Sequence, residues 1–356
     1  MIDLASQRYA LIALVSAALF GVSTPLAKLL LGYVPPLLLA GLLYLGSGAG
    51  LMVLWLVRRS RKLPRAKPSA ALEFGGWVWL AAAVLSGGVL APVLLLWGLS
   101  GMHASGASLL LNAEAVLTIL VAALLFGEHV SGRVWASAAV MLAGALLLAY
   151  EPGTSVPVSP HALAVAGACL LWALDNNFTR NISSGDPVLI AMVKGLVAGT
   201  ANCALAAAAG VSVLAPGTVS AALALALGAA SYGASLVLYI VALRHLGSAR
   251  TGAHFATSPF IGAAVAITLL GEPTGTAFIA SVALMLAATW LLLSEKHLHQ
   301  HTHEHFEHSH PHVHDGHHQH SHTAGVGTGP HTHAHVHEPL THLHPHLPDL
   351  HHRHRH

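Results

Sequence analysis

Charge is what this sequence has least of. Of its 356 residues only 8% are charged and 54% are hydrophobic, where a soluble domain carries roughly a quarter charged residues, so a water-facing surface cannot be built from this stock. Cysteine is nearly absent: Cys169 and Cys203 are the two, both inside apolar runs, so no disulfide framework is expected and both read as small packing residues. Basic residues lie in short loops rather than interleaved with aromatics on one face, which excludes a nucleic-acid partner. No nucleophile and base pair or phosphate-binding loop appears in any loop long enough to hold it, so an enzyme is not expected. The first apolar run, Tyr9 to Leu31, is longer than a signal-peptide core and no cleavage pattern follows it, which makes it a span rather than a leader.

Long hydrophobic runs are what the chain has in plenty, with a mean hydropathy of +0.65. A helix needs about 20 apolar residues to cross about 30 Å of hydrocarbon. Polar punctuation marks ten such segments, near 10–31, 36–57, 77–98, 105–126, 134–150, 161–181, 188–210, 218–243, 249–270 and 276–293. The expected partner is therefore a lipid bilayer. Arg58, Arg59, Arg61, Lys62, Arg65, Lys67, Arg133, Arg180, Arg244 and Arg250 fall on one side of a ten-span arrangement, and only Lys28 falls on the other. Basic residues are retained in the cytoplasm during insertion, so both termini are expected there, with the protein in a bacterial inner membrane.

The two halves repeat. Phe20-Gly21-Val22-Ser23 through Lys28 and Pro35 align at constant offset with Trp172-Ala173-Leu174-Asp175 through Arg180 and Pro187, and Gly127-Glu128 aligns with Gly271-Glu272. An odd number of spans per repeat inverts one half relative to the other, the plan of many secondary transporters, with the solute path between the halves. The expected fold is an all-α membrane protein of two inverted five-helix repeats, 1–151 and 152–294, followed by a disordered tail, 295–356.

Two five-span halves, each with Gly-Glu closing its fourth span, resemble the EamA-type transporters of the drug/metabolite transporter superfamily. The segments Leu109-Leu110-Leu111-Asn112-Ala113-Glu114-Ala115-Val116 and Trp172-Ala173-Leu174-Asp175-Asn176-Asn177-Phe178-Thr179-Arg180 resemble a bacterial subgroup that ends in a histidine-rich tail. The resemblance implies proton-coupled secondary export of small solutes. Span 4 has Ala115 where many relatives have proline, while span 9 keeps Pro259, so the halves are expected to bend differently.

Ionisable groups inside spans are costly, at least ~2.5–3.5 kcal/mol, and usually face a bundle interior or water cavity. Glu114, Asp175, Lys194 and His254 are of this kind. One reading makes Glu114 and Asp175 proton or cation carriers tuned by Lys194 and His254; the other makes Asp175 and Lys194 a buried ion pair that fastens span 6 to span 7. Ser23, Thr24, Asn112, Asn176 and Asn177 complete the candidate path; Trp97, Tyr232 and Tyr239 could line it, but aromatic residues in spans are more often packing or interface anchors, and none of the three is counted among the candidates. Glu128 and Glu272 are expected to bond loop amides beyond glycine caps, and Gly195 and Gly199 to form a small-residue packing seam.

From His297 to His356 the chain holds 24 of its 29 histidines. Neutral imidazoles suit nickel, cobalt, zinc or copper, and the candidate donors are His297, His299, His301, His303, His305, His331, His333, His335, His337, His351, His352, His354 and His356. No cofactor is required, but a divalent transition metal is expected on the tail. Divalent metal, nickel or cobalt first, is the leading cargo expectation; export of amino acids or other small organic metabolites is the first alternative, and a membrane metal sensor or scaffold the second. A second copy of the chain is a candidate partner.

Overall fold

The computed structural model describes residues 4–60, 74–127, 130–150, 158–182, 186–212, 216–246 and 248–294, and in the tail 298–302, 306–312, 331–337 and 341–345. It divides into a helical unit, Met1–Glu295, and a tail unit, Lys296–His356. Among the described residues nine helical stretches are long and apolar enough to cross a membrane: Gln7–Leu30 (span 1), Pro36–Ser60 (span 2), Gly76–Gly101 (span 3), Ala104–Leu125 (span 4), Gly132–Ala149 (span 5), Val188–Ala208 (span 7), Gly217–Leu243 (span 8), Arg250–Leu270 (span 9) and Thr276–Leu293 (span 10). Span 6 is the helix Pro160–Arg180, 21 residues long. Its Asp175-Asn176-Asn177 run lowers its apolarity, and those residues prove to be bonded to neighbouring spans.

Helix ends follow local chemistry. Pro160 and Pro187 open their helices, where a missing N–H costs nothing. Asp186 accepts from Val188 N, and Ser131 accepts from Val134 N. Gly127 and Gly271 close the fourth span of each half in the left-handed conformation, at φ 68° and 65°.

Lipid offers no hydrophobic drive for helix association, so small residues that let backbones approach decide the packing. Spans 2 and 7 cross on such residues. A Cβ on Gly48 would meet Gly195 and Leu196 backbone, and one on Gly199 would lie 2.5 Å from Leu45 N. The expected seam at Gly195 and Gly199 is thus completed by Gly41 and Gly48. Spans 5 and 10 pack together, with Ser137 Oγ donating to Ala288 O at 2.8 Å. Cys169 and Cys203 are both free.

The interruptions also repeat. Spans 3 and 8 each carry a π-helical segment, Val84–Leu90 and Ala229–Ala234. Span 4 is split into Ala104–Leu110 and Ala113–Phe126, and span 9 into Ser248–Phe255 and Ser258–Leu270. This corrects the expectation that the halves bend differently. Span 4 breaks without proline because Leu111 N, Asn112 N and Glu114 N donate three residues back, to Ser108, Leu109 and Leu111 carbonyls, and Asn112 Nδ2 takes the Leu109 carbonyl as well, at 2.9 Å.

Leu298–Thr302 (β1) pairs antiparallel with Thr341–Pro345 (β4), and Phe306–His312 (β2) with His331–His337 (β3). The sequence alternates histidine with Thr, Ala, Val, Leu and Ser, the period-2 pattern a strand accepts.

Candidate functional site

A cavity of about 340 Å³ opens between the two halves. Its walls come from span 1 (Phe20), span 4 (Asn112, Glu114, Thr118), span 6 (Asn176), span 8 (Tyr239), span 9 (Phe255, Ser258, Pro259) and span 10 (Thr289). The tightened turn at 111–114 is what delivers Asn112 and Glu114 to this wall. Asn176 Nδ2 donates to Glu114 Oε1 at 2.9 Å and lies 3.3 Å from Thr118 Oγ1. Thr118 Oγ1 donates to the Glu114 carbonyl at 2.8 Å. The carboxylate therefore stands in a small polar patch on a wall that is otherwise mostly apolar. Ser258 adds a hydroxyl buried without a hydrogen-bond partner among the described residues.

Asp175 belongs to a different neighbourhood. Lys194 Nζ donates to its two carboxylate oxygens at 2.5 and 2.7 Å, and Thr179 Oγ1 donates at 3.0 Å. This cluster fills the space left by Gly87 in the π-helical segment of span 3, where a Cβ would run into the Asp175 carboxylate. The Gly87 carbonyl accepts from Tyr44 Oη at 2.6 Å and Trp172 Nε1 at 2.9 Å. Widened π turns leave carbonyls for such partners and are frequent at functional sites.

The sequence candidates thus separate. Glu114, Asn112 and Asn176 line the cavity. Asp175 and Lys194 form the ion pair between spans 6 and 7. Asn177 Nδ2 ties span 6 to span 4 through Thr118 O at 3.0 Å. Ser23 and Thr24 are buried in span 1, outside the cavity lining, where Phe20 stands instead. His254 is half-buried and offers its carbonyl to Thr257 Oγ1 at 2.6 Å; its neighbours Gly252, Phe255 and Ala256 line the cavity. Tyr239, one of the aromatics left between packing and lining, lines it too. Thr118 was the residue most open to inference, one helical turn from Glu114.

Two charged residues act at the ends of helices. Lys28 Nζ donates to Leu99 O, Ser100 O and Met102 O at 2.6, 3.2 and 2.9 Å, capping the end of span 3. Glu272 accepts from Ala104 N and Ser105 N, both at 2.7 Å, capping span 4 as its position beyond Gly271 suggested. Glu128 lies outside the described residues.

Among the described residues no three His, Cys, Asp or Glu side chains converge on a point that could hold a metal ion. Of the tail candidates, His299, His301, His331, His333, His335 and His337 lie on the strands. His297, His303, His305, His351, His352, His354 and His356 lie outside the described residues.

A helical bundle of membrane spans with matched interruptions in its two halves and a cavity shared between them defines a membrane transporter. The EamA-like transporter family model matches residues 7–150, and the chain belongs to that family. It is 27% identical over 277 residues to an "Uncharacterized transporter" of Methanothermobacter thermautotrophicus, covering 74% of this chain and 79% of the relative. It is 29% identical over 182 residues to a "Probable amino-acid metabolite efflux pump" of Escherichia coli, covering 50% of this chain and 56% of that pump's length. A third relative, from Pseudomonas fluorescens, is a "Probable 4-amino-4-deoxy-L-arabinose-phosphoundecaprenol flippase subunit ArnE", 36% identical over 86 residues, 24% of this chain and 73% of the relative. A solved crystal structure of 19% identity superposes with a TM-score of 0.57 over 80% of this chain and 95% of its own, a likeness of fold alone.

Proposed function

We propose that this protein exports small organic metabolites, amino acids or their derivatives first, across a bacterial inner membrane, with both termini in the cytoplasm. The observation that carries the reading is the Glu114–Asn176–Thr118 patch on the wall of a cavity between the halves. A cavity of about 340 Å³ is at the small end of the ~300–1,000 Å³ range of small-molecule sites. One carboxylate on a largely apolar wall suits a solute with an ammonium group and an apolar body, or a proton that exchanges with it. The Ser258 hydroxyl offers a hydrogen bond to the solute's other polar end.

The donor set argues against metal as cargo. Glu114 is the one anionic side chain among the lining residues, and no histidine or cysteine joins it, whereas borderline transition metals select imidazole and thiolate. The likeness to a probable amino-acid metabolite efflux pump of Escherichia coli supports the organic reading in the same direction.

The test is counterflow of radiolabelled amino acids into proteoliposomes holding the full-length protein or Glu114→Gln, with and without a pH gradient. Transport by the full-length protein that Glu114→Gln lacks supports the reading. Equal transport by both removes Glu114 from the mechanism, and nickel or cobalt flux without amino-acid flux overturns the cargo.

A further inference from the structure

The cavity and the two charged caps lie toward opposite ends of the bundle. Thr289, Leu292 and Leu293, in the last turns of span 10, belong to the cavity lining. Lys28, near the end of span 1, and Glu272, shortly before span 10 begins at Thr276, stand at the other end.

Two packed groups of helices face each other along this length. Span 6 packs with the last helix of span 3, Ala91–Gly101, and with the second helix of span 4, Ala113–Phe126. Span 1 packs with the last helix of span 8, Ser235–Leu246, and with both pieces of span 9. Toward the Leu293 end the groups part around the cavity. One gives it Glu114, Thr118 and Asn176, the other Phe20, Tyr239 and Phe255. Those three rings form one wall, with the Phe255 centroid 5.5 Å from Phe20 and 5.1 Å from Tyr239.

At the other end the same two groups are joined. Ala104–Leu110 of span 4 packs on Ser258–Leu270 of span 9, so closely that a Cβ on Gly262 would lie 2.6 Å from Gly21 O and 2.8 Å from Ser108 Oγ. Beyond that crossing, Lys28 donates to three carbonyls where span 3 ends, and Glu272 accepts from two N–H groups where span 4 starts. Each charge has the sign its helix terminus favours. Spans 1 and 9 thus hold the turn from Leu99 to Ser105, which belongs to the opposite group. The splits of spans 4 and 9 separate the pieces that touch from the pieces that part, which is where rocking of one group against the other would bend them.

We propose that Lys28 and Glu272 form the gate of the solute path at the end away from Leu293: the structure holds that end shut, and release of both caps from the Leu99–Ser105 turn opens it while the cavity closes. The proposal rests on the cavity being the solute path and on no choice of solute. Its readout is therefore access rather than flux, so a wrong cargo and a wrong gate give different results.

The test labels the full-length protein in nanodiscs with a membrane-impermeant maleimide, after Cys169 and Cys203 are replaced by alanine. One reporter, Ser108→Cys, lies one turn behind the capped start of span 4, at a position buried in the crossing. The other, Thr289→Cys, lines the cavity. Lys28→Gln/Glu272→Gln removes both caps. It should speed labelling at Ser108→Cys at least tenfold and slow it at Thr289→Cys at least threefold, because the two ends exchange access. Lys28→Arg keeps a cation at the carbonyls and should label as the parent does. The single variants Lys28→Gln and Glu272→Gln should move both rates in the same directions by less, which keeps the test readable if the double variant does not fold. Faster labelling at both reporters would mean a bundle that merely loosens, and an unchanged rate at either would mean that the caps do not control access; each result overturns the proposal.

Discussion

The ion pair of Asp175 and Lys194 gives the sharpest quantitative test of the structure. Both groups are withdrawn from solvent, with side-chain exposures of 9% and 17%, so removing one partner strands the other. Asp175→Asn leaves an ammonium beside a neutral amide and Thr179, and removal of one partner of a buried pair costs about 3–5 kcal/mol. Lys194→Met leaves the carboxylate uncompensated at a similar cost of about 3–5 kcal/mol. The double variant Asp175→Asn/Lys194→Met has no charge to desolvate, and replacement of a whole buried pair is often close to neutral. The singles should therefore shift the folded-to-unfolded ratio by roughly a hundredfold or more, and the double should recover most of it, so that the coupling approaches the sum of the two single costs, about 5 kcal/mol or more. Reversible unfolding in mixed micelles with rising SDS, followed by circular dichroism, measures all three. Proteoliposome transport by the double variant should stay within severalfold of the parent, because the pair lies outside the cavity lining. Singles that cost under about 1 kcal/mol, or a double that costs the sum of the two, would refute the assignment of the pair as a fastener of spans 6 and 7.

Other residues give independent checks. Asn176→Ala removes the amide that donates to Glu114; losing a hydrogen bond to a charged group, about 1.5–3 kcal/mol, should lower transport at least tenfold with little change in stability, and unchanged transport would take Asn176 out of the site. Gly87→Ala sets a methyl against the Asp175 side chain, so a destabilisation of about 1–3 kcal/mol is expected, measured by the same SDS titration, and it should persist when Asp175→Asn/Lys194→Met is already present because asparagine has the same shape; no measurable cost would refute the close approach. Glu272→Ala uncaps span 4 at Ala104 and Ser105. A cost of about 2–3 kcal/mol should accelerate thiol labelling of a Ser105→Cys reporter, and an unchanged labelling rate would show that the cap does not hold this end closed.

How much of this was legible in the sequence depended on whether a feature is longitudinal or angular. Spans, their order and the repeat are longitudinal: they follow from run length, from where Pro160, Pro187 and Gly271 fall, and from the spacing of Gly-Glu pairs. Glu272 could be read because a residue just past a glycine cap has few places to go. Angular features were not legible. Asp175 and Asn176 are neighbours in sequence, yet about 100° of helix rotation sends one to Lys194 and the other to Glu114. The break in span 4 was missed because it is made by Asn112 and by tightened backbone bonds rather than by proline, and Tyr239 because aromatic packing and cavity lining share one composition.

The same angular logic bears on how the cavity could change shape. Three consecutive residues of span 6 make bonds in different directions: Asp175 to Lys194 in span 7, Asn176 to Glu114 in span 4 and Asn177 to the Thr118 carbonyl in span 4. Span 6 is also a single uninterrupted helix, whereas spans 4 and 9 are split where they border the cavity, at Leu111-Asn112 and Ala256-Thr257. Bending at those splits alters the cavity wall without disturbing the ion pair on the other side of span 6. Span 6 is thus suited to serve as the fixed reference, and the Asn176 contact to Glu114 is where a change in span 4 would be felt by the carboxylate.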